Sequence, residues 1–163
     1  MILQSCTMSG FADEIDKDLE KQIQVLQKLG QKYIEFRSAN GKGVADYSLE
    51  EMKKVKEVLD AAGIKVSALG SPIGKIKITD DFAPHFETYK HVVELAKILD
   101  TKYIRMFSFF IPEGEDADAY ETEVFRRMKM MVDYAKEQNV VLLQENEKEI
   151  YGDIGRRCKK LME

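Results

Sequence analysis

A regular alternation of short β-prone runs with longer helical stretches constrains this chain more than any single motif in it. The runs start near residues 2, 32, 64, 102 and 140, so a strand-plus-helix unit recurs every 30 to 38 residues. The expected strands are 2–8, 32–37, 64–69, 102–107 and 140–145. Between them, apolar residues at spacings of three and four mark helices. Ile15, Leu19, Ile23 and Leu26 form the first stripe, and Met52, Val55, Leu59 and Ala62 the second. Phe86, Tyr89, Val93, Ala96 and Leu99 form the third, and Val124, Met128, Met131 and Ala135 the fourth. Ile154, Cys158 and Leu161 mark a last helix, with Asp153 as its expected cap. Ser48 followed by Glu51 predicts a capping box, and Gly30, Gly63 and Asn139 sit where a helix ends on a left-handed residue.

Strand-then-helix repetition implies parallel strands joined by right-handed crossovers. An open doubly wound sheet and part of a (β/α)8 barrel both fit that pattern. Charge inside the strands separates them. Glu35 and Arg37 lie in the second strand, Arg105 in the fourth, and Glu145 ends the fifth. A sheet covered by helices on both faces has little room for such groups, because a lone buried charge is costly. The open end of a barrel can hold them, and function in parallel β/α folds collects at the carboxyl ends of the strands. The expected fold is therefore α/β, a partial (β/α)8 TIM barrel of the first five β/α units. It forms one domain over residues 1–163, with parallel strands ordered 1-2-3-4-5.

Alternation places Val141, Leu143 and Glu145 on one face of the fifth strand, and Tyr33, Glu35 and Arg37 on one face of the second. Two readings stand for Glu35 and Arg105: a buried ion pair within one layer of even-numbered strands, or contact with substrate. The run Glu145-Asn146-Glu147 reads either as a polar strand exit or as part of a site. The segment GSPIGKI, residues 70–76, is too rich in Gly and Pro for regular structure and reads as a functional-length loop.

Other chemistries find no support. The chain has no GxGxxG, P-loop or GxSxG pattern, and His85 and His91 are six apart, on different faces of a helix. A net charge of −4 argues against nucleic acid and anionic membrane. Cys6 and Cys158 belong to no paired motif and read as reduced thiols. No apolar run is long enough to span a bilayer and no signal peptide is evident, so the expected location is cytoplasmic.

The stretches FADEI (11–15), YIEFRSANGK (33–42), KVSALGSPIGKI (65–76), PHFETYKHVVELAKIL (84–99), YIRMFSFF (103–110) and LLQENEKEIYGD (142–153) together resemble the xylose-isomerase-like TIM-barrel family of sugar phosphate isomerases and epimerases. The resemblance implies one divalent metal, Mn²⁺, Mg²⁺ or Co²⁺, at the top of the barrel, with Glu145 as its first ligand and as a catalytic carboxylate. It also implies a sugar or sugar phosphate substrate and proton transfer beside a carbonyl. Glu35, Arg37 and Arg105 are the substrate-binding candidates. The remaining ligands of that family lie on strands six to eight, and a whole barrel needs about 250 residues. The chain is thus expected to be a fragment of a metal-dependent isomerase or epimerase, inactive and without metal by itself, and self-associating through open barrel edges. Glu145 is expected to have no lysine or arginine partner. A non-catalytic interaction module and an apurinic-site endonuclease are the alternatives.

Overall fold

The computed structural model describes residues 7–163, in two compact units. The expected first strand lies outside the described residues except for Thr7 and Met8, which carry no regular structure.

The first unit takes in the chain up to Gly70 together with residues 94–102. Helix α1 (Leu19–Lys28) opens where the Asp18 side chain accepts the Lys21 N–H at 3.1 Å. That cap excludes Ile15, which was expected in the helical stripe. Ile15 instead ends a short 3-10 turn, Ala12–Glu14, and is 43% exposed. Strand β1 (Tyr33–Phe36) is followed by a two-residue ladder of β2 (Ser38–Ala39) and β3 (Lys42–Gly43). Asn40 and Gly41 close that hairpin at positive φ, 53° and 76°, as a tight turn of primed type requires. Helix α2 (Leu49–Ala61) has the expected capping box: Ser48 accepts the Glu51 N–H, and Glu51 accepts the Ser48 N–H. Strand β4 (Lys65–Gly70) pairs in parallel with β1, with a register shift between Ile34 and Glu35. Leu19, Ile23, Leu26, Ile34, Phe36, Met52, Val55 and Leu59 are buried, so the expected stripes do face the core.

The second unit comprises residues 71–93 and 103–163. Helix α3 (Phe82–Ile98) gives its residues up to Val93 to this unit and the rest to the first. Strands β5 (Tyr103–Met106) and β6 (Val141–Gln144) pair in parallel, from Tyr103 with Val141 to Met106 with Gln144. The two parallel pairs, β1 with β4 and β5 with β6, are neighbours that a sequential strand order requires. Helix α4 (Glu121–Glu137) buries Val124, Met131 and Ala135, and also Arg127. Helix α5 (Gly155–Met162) begins after Ile154 without a side-chain cap. Asp153 does not cap it: its carboxylate takes Arg157 Nη1 at 2.6 Å, four residues on, and is no longer free to turn toward the helix N–H groups.

Candidate functional site

Arg105 and Glu145 come together at the carboxyl ends of β5 and β6. Arg105 stands opposite Leu143 in the ladder, and Glu145 lies two residues further along, on the same face. A long side chain reaches that diagonal neighbour, and Arg105 Nε lies 3.1 Å from Glu145 Oε2. The contact is ionic rather than an aligned hydrogen bond. Arg105 is buried and donates Nη1 to the Ser71 carbonyl at 3.0 Å, while the Glu145 side chain is 45% exposed. The expectation that Glu145 lacks a basic partner is therefore corrected. Arg105 finds this carboxylate on the adjacent strand, where register makes the two side chains diagonal neighbours.

The loop after β4 brings a second pair to the same place. Ser71 Oγ donates to the Arg105 carbonyl at 2.6 Å. Phe107 N donates to Ile73 O (2.8 Å), Phe109 N to Gly74 O (3.1 Å) and Phe110 N to Ile76 O (2.9 Å). So fastened, the loop holds Lys75 Nζ 4.2 Å from the centre of the Phe107 ring and 2.9 Å from Glu147. Arg105 lies 4.6 Å from the same ring centre. Two cations thus share one aromatic platform, each with a carboxylate from the end of β6. Sequence reasoning marked the loop but missed Lys75 and Glu147 as individual residues; a lysine in a Gly/Pro-rich loop after a strand was the available signal.

In the first unit, Glu35 and Arg37 follow the expected alternation, with Ile34 and Phe36 buried on the other face. Glu35 N donates to Gly10 O at 2.9 Å. Arg37 is held by Asp13 (2.8 Å) and Glu14 (3.4 Å) and lies 4.3 Å over the Phe11 ring. Burial works to raise the Asp13 pKa, but hydrogen bonds from Arg37 and Ser38 outweigh it and hold the carboxyl below the ordinary range. The FADE segment, residues 11–14, is thus a clamp on Arg37.

Among the described residues no group of three or more His, Cys, Asp or Glu side chains is arranged to hold a metal ion. Glu145, the carboxylate suited to such a role, faces an arginine. The described residues therefore do not fit a metal centre. An open cleft of about 900 Å³ lies among the loops that follow β5 and β6, lined by Lys77, Phe110, Glu149, Ile150 and Arg157 among others. Neither Arg105 nor Glu145 lines it. We place the candidate chemistry with the paired charges, because a volume without convergent functional groups defines no reaction. No helix among the described residues is long and apolar enough to cross a membrane.

The profile of xylose isomerase-like TIM barrels matches residues 23–163. The chain belongs to the xylose isomerase-like TIM barrel family. Its fold is accordingly part of a (β/α)8 barrel, and the ends of β5 and β6 are the end at which such barrels carry their sites. Comparison with curated protein sequences gives no match. Solved structures of similar fold include a probable 3-DHS dehydratase from Bacillus anthracis, 17% identical with a TM-score of 0.68, covering 86% of this chain and 51% of that one. A xylose isomerase-like TIM barrel protein from Mycobacterium smegmatis, in complex with magnesium, is 12% identical with a TM-score of 0.71 (94% and 59% covered). A D-psicose 3-epimerase from Clostridium cellulolyticum, with D-tagatose, is 15% identical with a TM-score of 0.70 (94% and 58% covered). This family member therefore spans between about half and three fifths of the length of these structures. At such identities the likeness is one of fold.

Proposed function

We propose that this chain supplies the β5–β6 part of the active site of a sugar or sugar phosphate isomerase or epimerase. The observation that carries this reading is the convergence of Arg105, Glu145, Lys75 and Glu147 around Phe107 at the carboxyl ends of parallel strands. Isomerisation and epimerisation both begin with loss of a proton from the carbon beside a carbonyl. A half-exposed carboxylate, oriented by a buried arginine, is suited to accept it. Negative charge then grows on the carbonyl oxygen, and fixed cations such as Arg105 and Lys75 stabilise it. A divalent metal, which the family resemblance implies, would need ligands beyond those described, so no step is assigned to it. Glu35 and Arg37 are proposed independently as substrate-binding residues.

The test is exchange of solvent deuterium into ketoses and ketose phosphates at the carbon next to the carbonyl, with the longest form of the chain that its gene encodes. Glu145→Gln should slow exchange by about 10²-fold or more. The fold should be unchanged, since a side chain this exposed contributes little through its ion pair. Normal exchange in that variant would sink the reading.

A second, non-catalytic role in association has its own observation. Val141 and Leu143, on the face of β6 that carries Glu145, are 42% and 40% exposed. An apolar strip on a strand invites cover by another copy of the chain. Sedimentation at micromolar concentration should show a dimer or larger species that Leu143→Lys disperses. A monodisperse monomer would count against it.

A further inference from the structure

The loop that carries Lys75 is held from two sides. On one side it is bonded to residues 105–110. On the other, the Gly74 N–H donates to His85 Nε2 at 2.8 Å, from the first turn of α3. An imidazole nitrogen accepts a hydrogen bond only while it carries no proton. Gly74 itself is at φ +86°, and a Cβ on it would lie 1.9 Å from the Phe107 carbonyl oxygen, so the loop backbone is pressed directly against the end of β5. Lys75 is the next residue, its own N–H donated to the Pro72 carbonyl at 2.9 Å, so it moves with this turn.

We propose that His85 is a positioning residue for the strand-end site: neutral, it seats the 71–78 loop with Lys75 over Phe107 and against Glu147; protonated, it releases Gly74 and uncouples Lys75 from the site. The inference rests on reading Lys75 as part of that site, though the latch can be observed without any substrate.

The surroundings favour the neutral ring. Burial, and then the positive charge of Arg127 from α4, push the His85 pKa below its ordinary value. The Phe82 ring packs beside it at 6.3 Å. Of the acidic groups at the foot of α3, Asp80 accepts the Lys77 N–H and Asp81 the Ala83 N–H, each at 3.0 Å. From the loop the ring faces the Gly74 N–H, with the Lys75 ammonium on the next residue, so no charge from that side favours an imidazolium. The sign follows from linkage. Below the ordinary histidine value the unfolded chain binds a proton that the folded chain refuses. Stability contributed by the neutral ring is therefore lost as pH falls from that value to the depressed native one, and levels off beneath it.

The test is a pH titration of the 163-residue chain by ¹H–¹⁵N NMR, from about pH 8 to about pH 5. The Gly74 and Lys75 amide signals should move together with the His85 ring signals, through one midpoint below the ordinary histidine value. His85→Gln keeps an acceptor that does not titrate; its Gly74 signal should stay at the high-pH position throughout. His85→Phe removes the acceptor, and amide exchange at Gly74 should rise at least about tenfold over the parent where the parent ring is neutral, the difference closing as the parent ring takes up its proton. Glu145→Gln, which tests the chemistry of the site, should leave the titration as it is, so the two readings fail separately. A Gly74 amide indifferent to His85 protonation, or a His85→Gln chain that titrates like the parent, would overturn the proposal.

Discussion

Replacing Arg127 by methionine should lower the unfolding free energy by about 3 kcal/mol. Arg127 is only 4% exposed although it lies on a helix with a solvated face. Its Nη2 donates to the carbonyls of Ile78 (2.7 Å) and Asp80 (2.9 Å), and its Nε to Glu123 (2.7 Å). The guanidinium also packs on the Phe82 and Phe109 rings, 5.1 and 5.4 Å from their centres. Methionine preserves most of the packing and removes every donor. Two carbonyls at the end of the 71–80 loop then lose their partner, at roughly 1–3 kcal/mol for each that stays buried. Arg126 is the control: it pairs with the same Glu123 but is exposed. Arg126→Met should change stability by no more than about 0.5 kcal/mol. Urea denaturation of both variants measures the difference. Equal effects would mean that the buried bonds to Ile78 and Asp80 contribute nothing net.

Arg127 also shows where sequence reasoning stops. Val124, Arg127, Met131 and Ala135 follow one another at spacings of three, four and four, so the arginine occupies a place in the apolar stripe. Reading by residue type gave that place to Met128, which is only half-buried. What buries a charge is a set of carbonyls delivered by another segment, and no local pattern announces them. Local signals fared better. The capping box of Ser48 and Glu51 needs only four consecutive residues, and it is present in full. Four of the five strands lie within a residue of their expected positions, because alternation and turn residues are themselves local. The Asn40-Gly41 hairpin was locally encoded too, but Ser38–Ala39 and Lys42–Gly43 lack the apolar alternation that usually accompanies that turn.

The candidate site divides along the same line. That Glu145 shares a face with Val141 and Leu143 was legible from alternation alone. Its partner was not, because register between β5 and β6 decides which side chains become diagonal neighbours. Lys75 and Glu147 meet through a loop whose path is fixed by backbone contacts with residues 107–110. The FADE segment was part of a family resemblance, yet its physical role, holding Arg37 against Phe11, required the folded geometry.

Replacing Gly74 by alanine should be strongly destabilising for so small a change. The new Cβ would stand 1.9 Å from the Phe107 carbonyl oxygen, 2.5 Å from its carbon and 3.0 Å from Cα. All three are backbone atoms at the end of β5, so no side-chain rotation relieves the contact. The backbone at Gly74 is also at φ +86°, which by itself costs an alanine about 1–2 kcal/mol. Escape requires the loop to lift away. That breaks the bonds from Phe107 to Ile73 and from Phe109, itself at φ 68°, to Gly74. The expected loss is roughly 4 kcal/mol, the strain together with at least two backbone hydrogen bonds. Gly63→Ala isolates the first component. Gly63 ends α2 at φ +71° with no atom within 4 Å of an added Cβ, so its cost should stay near 1 kcal/mol. Lys75 rides on the next peptide. Gly74→Ala should therefore also displace its ammonium from Phe107 and Glu147, seen as a shift of the Lys75 side-chain resonances that Gly63→Ala leaves unmoved. If Gly74→Ala proved no worse than Gly63→Ala, the close packing of the 71–78 loop on β5 would be refuted, and with it the route by which Lys75 reaches the site.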